Sequence, residues 1–234
     1  MVLQLDPDEP EAEIRIRAAL ERRSSSDILA GFRETYASLR GMETLDDDYY
    51  AVERVVAMAH ANQLTQDAIT RAVLNAADLG VSVAIDQLGP IGFDWTLANI
   101  AARDWAQQHA GALIRQIDDV TTRGVRQAVA RWIENGEPLE TLIQDLDIYF
   151  GPARAGLIAT TEVTNAFAQA NEIAYQQSGA CQGMEWRTSI DERRCQICAP
   201  LEGQRRKFGE EFAPGIMRPA AHPRCRCWVV GWLN

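Results

Sequence analysis

Four of the chain's five cysteines fall in two short segments, "DERRCQICAPLEG" (Asp191 to Gly203) and "AHPRCRC" (Ala221 to Cys227), together with one of its three histidines. The spacing is Cys195-x2-Cys198, 23 residues, His222-x2-Cys225, then Cys227. Two thiolates two residues apart turn toward one point in a tight turn, and His-x2-Cys does the same from the second segment. Four such donors suit a tetrahedral zinc site of the Cys3His kind, and soft sulfur disfavours magnesium or calcium. The expected ligands are Cys195, Cys198, His222 and Cys225. Cys227, two residues along on the same side of an expected strand, is the alternative to Cys225. A disulfide pairing and inert thiols are the competing readings. Cys181 lies outside the pattern and is expected to be an ordinary thiol.

A metal also answers a physical need. Residues 180–234 contain few large apolar side chains, and a unit of about 55 residues with a thin core needs a metal, a disulfide or a docking partner to keep its shape. A closed set of four protein ligands leaves no coordination position for water, so the site is expected to be structural and not hydrolytic.

The rest of the chain reads as helix. At 234 residues and 47% hydrophobic content the chain can bury a real core. "EPEAEIRIRAALERR" shows a thin apolar side at Ile14, Ala18 and Leu20, and "SSSD" at Ser24 to Asp27 is expected to cap a second helix. Asp46 to Asp48 suit a helical first turn. Val55, Val56, Met58 and Ala59 recur at helical spacing, with Gly80 as the expected stop. A long helix follows, striped by Leu97, Ile100, Ala101 and Trp105 and then by Leu113, Ile117, Val120, Val125, Ala128, Val129 and Trp132, ending at Asn135-Gly136. "EPLETLIQDLDIYFG" is a short amphipathic helix, and a last one runs from about Pro152 to Gln177, stopped by Ser178-Gly179. "GMEWRTS" and "CRCWVVGWLN" alternate like strands. The expected fold is mainly α, a helical body with a small C-terminal zinc-stabilised α+β module of short strands and turns. Its parts are an arm over 1–45, a body over 46–179 and the module over 180–234. His60 and His109 fall in helical runs and carry no expected role.

Charge narrows the function. The net charge is −10, which opposes a whole-surface attraction to nucleic acid or anionic membrane. No uninterrupted run approaches the roughly 18 apolar residues of a membrane span. The N-terminal residues lack a secretory pattern, so folding among reduced thiols is expected. From Arg187 to Cys227 nine basic residues face five acidic ones. Enzyme signatures are thin. Asp191, Glu192, Glu202, Glu210 and Glu211 are carboxylates in a charged loop, "GPIGF" lacks the lysine of a phosphate loop, and no Gly-x-Ser-x-Gly elbow exists. No catalytic residue and no organic cofactor is expected. A metal-scaffolded nuclease or transferase, or a nucleic-acid-binding adaptor, are the alternatives.

Three blocks in order carry a resemblance: "ARAGLIATTEVTNAFAQANEIAYQQSG", "MEWRTSIDERRCQICAPLEGQ" and "RPAAHPRCRCWV". They resemble the phage Mu protein F-like family, minor head or head-morphogenesis proteins of tailed phages. Trp186, Thr188, Asp191, Arg193, Cys195, Cys198, Leu201, Gly203, His222, Pro223, Cys225, Arg226 and Cys227 fall on the family pattern, over about residues 120 to 230. Thr160 stands where the family has an arginine before Thr-Glu. The resemblance implies a virion protein at the portal vertex, made in the host cytoplasm, that acts in head assembly and in DNA packaging or delivery. The implied partners are the portal protein and the major capsid or scaffolding protein. The local excess of basic residues offers a DNA contact through Arg205, Arg206, Lys207, Arg224 and Arg226, and no membrane partner is expected.

Overall fold

A computed structural model describes residues 10–41, 51–60, 62–188 and 195–233. Asp46 to Asp48, Asp191 and Arg193 lie outside the described residues. Six helices come first: α1 (Pro10–Arg40), α2 (Ala51–Ala59), α3 (Gln63–Leu88), α4 (Trp95–Asn135), α5 (Leu139–Phe150) and α6 (Pro152–Ser178). Three strands follow, β1 (Cys181–Arg187), β2 (Arg205–Lys207) and β3 (Trp228–Leu233), forming an antiparallel sheet in the order β2-β1-β3.

The helix ends obey local chemistry. The Asn62 side chain accepts the Thr65 N–H and Asp94 accepts that of Thr96, each satisfying a donor that the first turn leaves open. Gly136 (φ 62°) and Gly179 (φ 66°) end α4 and α6 in the left-handed conformation that glycine adopts without strain.

α3 and α6 form the centre, and α1 and α4 pack on both. Gly80, expected as a stop, lies inside α3, which continues to a cap at Gly89. Its role is contact. A Cβ there would meet the Phe167 carbonyl oxygen at 2.5 Å, and Asn171 Nδ2 on α6 donates to the Gly80 carbonyl at 2.6 Å. In α4 the N-terminal stripe also differs from expectation. Ala98, Ala102, Ala106 and Ala110 are the buried positions, while Leu97 and Ile100 are 62% and 52% exposed. Small side chains let helices approach closely, so the alanine face wins the interior over the larger residues beside it.

α1 runs unbroken through Ser24, which is buried in mid-helix, so "SSSD" caps nothing. Its buried stripe is Glu13, Arg17, Glu21, Ser24, Ile28, Phe32, Thr35 and Leu39, at helical spacing. The N-terminal half therefore turns a charged stripe furthest inward, with Ile14 and Leu20 of the expected apolar side packed half-buried beside it. The C-terminal half is anchored by Phe32 and Tyr36 against the Phe150 ring and by the Tyr36 hydroxyl donating to the Ile143 carbonyl at 2.8 Å. Residues 53–88 are long and apolar enough by composition to cross a membrane, although they hold no uninterrupted apolar run. In this fold α3 turns its apolar side to α1, α4 and α6.

Burial raises the Glu13 carboxyl from 4.5 to about 7, against the pull of Arg17, and Glu13 also faces the buried Tyr175 hydroxyl. Between those two pH values the folded state holds a proton that the unfolded chain has lost. This group therefore costs stability increasingly as pH rises from 4.5 to 7. Glu13→Gln is expected to raise stability at pH 8 by on the order of 1–3 kcal/mol and to change little near pH 4.5. Urea titrations of both proteins across that range check it, and an advantage that does not grow with pH refutes it.

Candidate metal centre

β1 carries the first half of the site. Trp186 is fully buried, its N–H donates to the Gln204 carbonyl at 2.9 Å, and its own carbonyl accepts the Gly203 N–H at 2.8 Å. These bonds hang the Cys-x2-Cys turn from the strand, with Leu201 pinned in the core. Within the turn the Cys198 N–H donates to Cys195 Sγ at 3.2 Å, and a 3₁₀ turn follows over Ala199–Leu201.

α6 carries the second half. Thr161 Oγ1 accepts the Arg224 N–H at 3.0 Å, and Thr164 Oγ1, fully buried, donates to the Cys225 carbonyl at 2.8 Å. Arg224 takes a left-handed conformation (φ 61°), and the Cys225 N–H closes a turn on the His222 carbonyl at 3.1 Å. Strand β3 starts only at Trp228, so Cys225 and Cys227 precede the ladder and do not share a strand face as expected.

The two halves meet. Cys195 Sγ lies 3.0 Å and Cys198 Sγ 3.3 Å from His222 Nε2, and Cys198 Sγ lies 3.8 Å from Cys225 Sγ. The donors form two trios, Cys195/Cys198/His222 and Cys198/Cys225/Cys227, each with its ligand atoms within 4.8 Å of one another. Cys198 belongs to both. With metal–sulfur bonds of about 2.3 Å a tetrahedral site has sulfur–sulfur edges of about 3.8 Å, which the Cys198–Cys225 pair matches. Cys198, Cys225 and Cys227 are buried, and Cys195 and His222 are half-buried. Among the described residues the five cysteines form no disulfide.

Electrostatics fit a cation. His222 Nδ1 lies 2.8 Å from the Pro223 carbonyl, which can only accept, so Nδ1 carries the proton and Nε2 turns its lone pair to the thiols. Around Cys225 the charge is frustrated. Hydrogen bonds from the Cys198 and Cys227 thiols pull the Cys225 thiol well down, so it is the thiolate of the trio. The hydrogen bonds that Cys198 makes with Cys225 and Cys227, then burial and the neighbouring charge, hold its own thiol far above the ordinary range. The Cys198 bond lowers Cys227, yet the Cys225 thiolate and burial together push it up to about 12. Burial opposes ionisation of Cys195, but the Cys198 and Ile197 N–H groups bring it below the ordinary value. Three clustered sulfurs thus share one negative charge, whereas a divalent ion deprotonates its coordinating thiols outright. The buried Trp186 indole N–H, which no other group engages, favours the charged form of Cys227. The donor set fits a metal, and the described residues hold a Cys4His cluster able to bind one.

The remaining expected residues have other duties. Glu202 accepts both the N–H and the hydroxyl of Thr188 at 2.6 Å and pairs with Arg187 at 3.4 Å, so it fastens the end of β1. Arg205 pairs with Glu185 and lies over the Trp232 ring. Arg206 bonds to the Glu211 carbonyl and Gln204, Arg224 to the Ala153 carbonyl, and Arg226 to Glu21. Lys207 is exposed. His109, given no role from sequence, links α4 to α6 through Glu162 at 2.8 Å and stacks on Trp105. Sequence reading missed Arg17, whose Nη1 donates to the Cys227 carbonyl at 3.2 Å from 210 residues away. The available signal was the Glu13-Arg17-Glu21 spacing, continued by Ser24 and Ile28.

The sequence model of the phage Mu protein F like protein family matches residues 123–230, from the last turns of α4 into β3. Neither a curated protein nor a solved structure matches the chain. The matched segment holds the five Cys/His residues of the cluster, the α6 threonines that brace them, β1, β2 and the first half of β3. Residues 123–230 of the chain belong to the phage Mu protein F like family.

Proposed function

We propose that the chain is a minor head, or head-morphogenesis, protein of a tailed phage or prophage. It acts at the portal vertex in head assembly and in DNA packaging or delivery, in the host cytoplasm during assembly and then in the virion. The observation that carries this reading is the family match over residues 123–230, which encloses the entire Cys/His cluster. The cluster holds one zinc ion through Cys195, Cys198, His222 and Cys225, and zinc supplies folding free energy there without an open position for chemistry. Cys225 is preferred to Cys227 for its 3.8 Å approach to Cys198. The acidic helical body docks on the portal, and Lys207 with the neighbouring arginines offers the secondary contact to packaged DNA.

Co-expression with the portal protein encoded nearby tests the role. The expected result is a co-purifying complex in which mass spectrometry counts about one zinc per copy of this chain. Zinc without portal contact removes the portal role and leaves the metal site. The ligand assignment has its own check. Cys225→Ser is expected to lose the metal and Cys227→Ser to keep it, and the reverse pattern would move the fourth ligand to Cys227.

A further inference from the structure

We infer that α1 is a metal-dependent clamp: the docking of its N-terminal half on the C-terminal module and the binding of metal by that module are one coupled equilibrium. The inference rests on the metal reading above. It concerns a segment, residues 10–40, that lies wholly outside the family match.

The contact centres on Arg17, which is 3% exposed. Its guanidinium donates to two successive carbonyls, those of Arg226 and Cys227. The Phe167 and Trp228 rings flank it at 5.4 and 5.7 Å. Glu13 and Glu21, one turn away on either side, face the same interior and are also buried. A guanidinium is costly to bury unless its donors are matched. The Arg17 N–H groups find their hydrogen-bond acceptors in those two carbonyls, with Glu13 and Glu21 beside them as countercharges.

Those carbonyls belong to the link Cys225–Arg226–Cys227, which carries two of the five metal donors and precedes the first ladder residue of β3. The link is held at each residue by something other than the sheet. Thr164 holds the Cys225 carbonyl, Arg17 holds the next two, and the Arg226 side chain reaches back to Glu21 on α1 at 3.4 Å. Metal at the sulfurs and Arg17 at the carbonyls brace the same three residues from opposite sides. Each fixes the backbone geometry that the other requires, so each strengthens the other, and by linkage the factor is the same in both directions. Loss of metal then releases the first half of α1 while its second half stays anchored on Phe150 and α3.

The test uses the full-length protein. Zinc is counted by mass spectrometry, and amide exchange is followed with zinc bound and after chelation. Expected on chelation is exchange at least tenfold faster over residues 13–25, with α3 and α4 unchanged. Arg17→Met is expected to weaken zinc binding about tenfold, about 1.4 kcal/mol, and to raise exchange over residues 13–25 with zinc still present. Arg33→Met, exposed on the same helix, is expected to change neither. A wild-type protein that binds no zinc overturns the metal reading and the clamp together. Zinc that binds while residues 13–25 exchange equally with and without it overturns the clamp alone. So does a uniform rise across all helices, which makes the metal a general stabiliser. The chelation comparison needs no variant, so it stands even if Arg17→Met does not fold.

Discussion

Cys198→Ser is expected to abolish metal binding and to lower stability by about 3–5 kcal/mol, a fall of roughly 10 °C in Tm for a chain this long. No other donor has its position. Cys198 is the one residue common to both trios, 3.3 Å from the His222 imidazole and 3.8 Å from Cys225 Sγ, and it is 2% exposed. Serine is nearly isosteric, so little packing changes. What changes is the donor, because a buried hydroxyl is a poor ligand for a soft-ligand site and is left short of partners. Cys195→Ser is expected to be milder, since Cys195 is half-buried and belongs to one trio. Cys181→Ser serves as the contrast. That thiol is buried outside the cluster, where burial holds it protonated up to about 11, and its replacement is expected to leave the metal count unchanged. Mass spectrometry and thermal unfolding of the three variants, each with and without chelator, decide the matter. If Cys198→Ser retains its metal or unfolds with the wild type, the cluster does not hold the module together.

The parts of the fold legible in sequence are those governed by local rules. Gly136 and Gly179 end helices because a left-handed residue is needed there, and Pro152 starts one because its missing N–H is not required in a first turn. The Cys/His cluster could be picked out because the spacing of its residues is itself the local geometry of two turns. What escaped sequence reading is decided by neighbours distant along the chain. Gly80 and Gly89 both read as helix stops, but only Gly89 is followed by proline, and the approach of α6 makes Gly80 an interior residue. Leu97 and Ala98 lie on two competing faces of α4, and hydrophobicity favours the one that packing leaves exposed. Ser24 resembles a cap until the buried stripe is followed through it from Arg17 to Ile28. Arg17 itself reads as surface charge, because its partners are backbone carbonyls some 210 residues away, which no periodicity encodes.

Gly80→Val is expected to destabilise the protein by about 3 kcal/mol or more, whereas Gly111→Ala, also in a helix, is expected to stabilise it by about 0.5–1 kcal/mol. Intrinsic propensity argues for both substitutions, or nearly so, since glycine is a poor residue inside a helix. Contact geometry separates them. At Gly111 a new Cβ finds nothing nearer than the mobile end of Arg115 at 3.7 Å. At Gly80 it meets the Phe167 carbonyl oxygen at 2.5 Å and Ala170 Cβ at 2.8 Å, and backbone cannot step aside as a side chain can. Relief requires α6 to move off α3, which also stretches the 2.6 Å bond from Asn171 to the Gly80 carbonyl. α6 is the helix whose Thr161 and Thr164 hydroxyls hold Arg224 and Cys225 in place. A substitution on α3, remote in sequence from every donor, should therefore weaken metal binding as well as folding, and Gly111→Ala should leave metal binding alone. Urea unfolding together with competitive zinc titration reads both quantities. If Gly80→Val loses stability but binds zinc as the wild type does, α6 is not the element that positions the site.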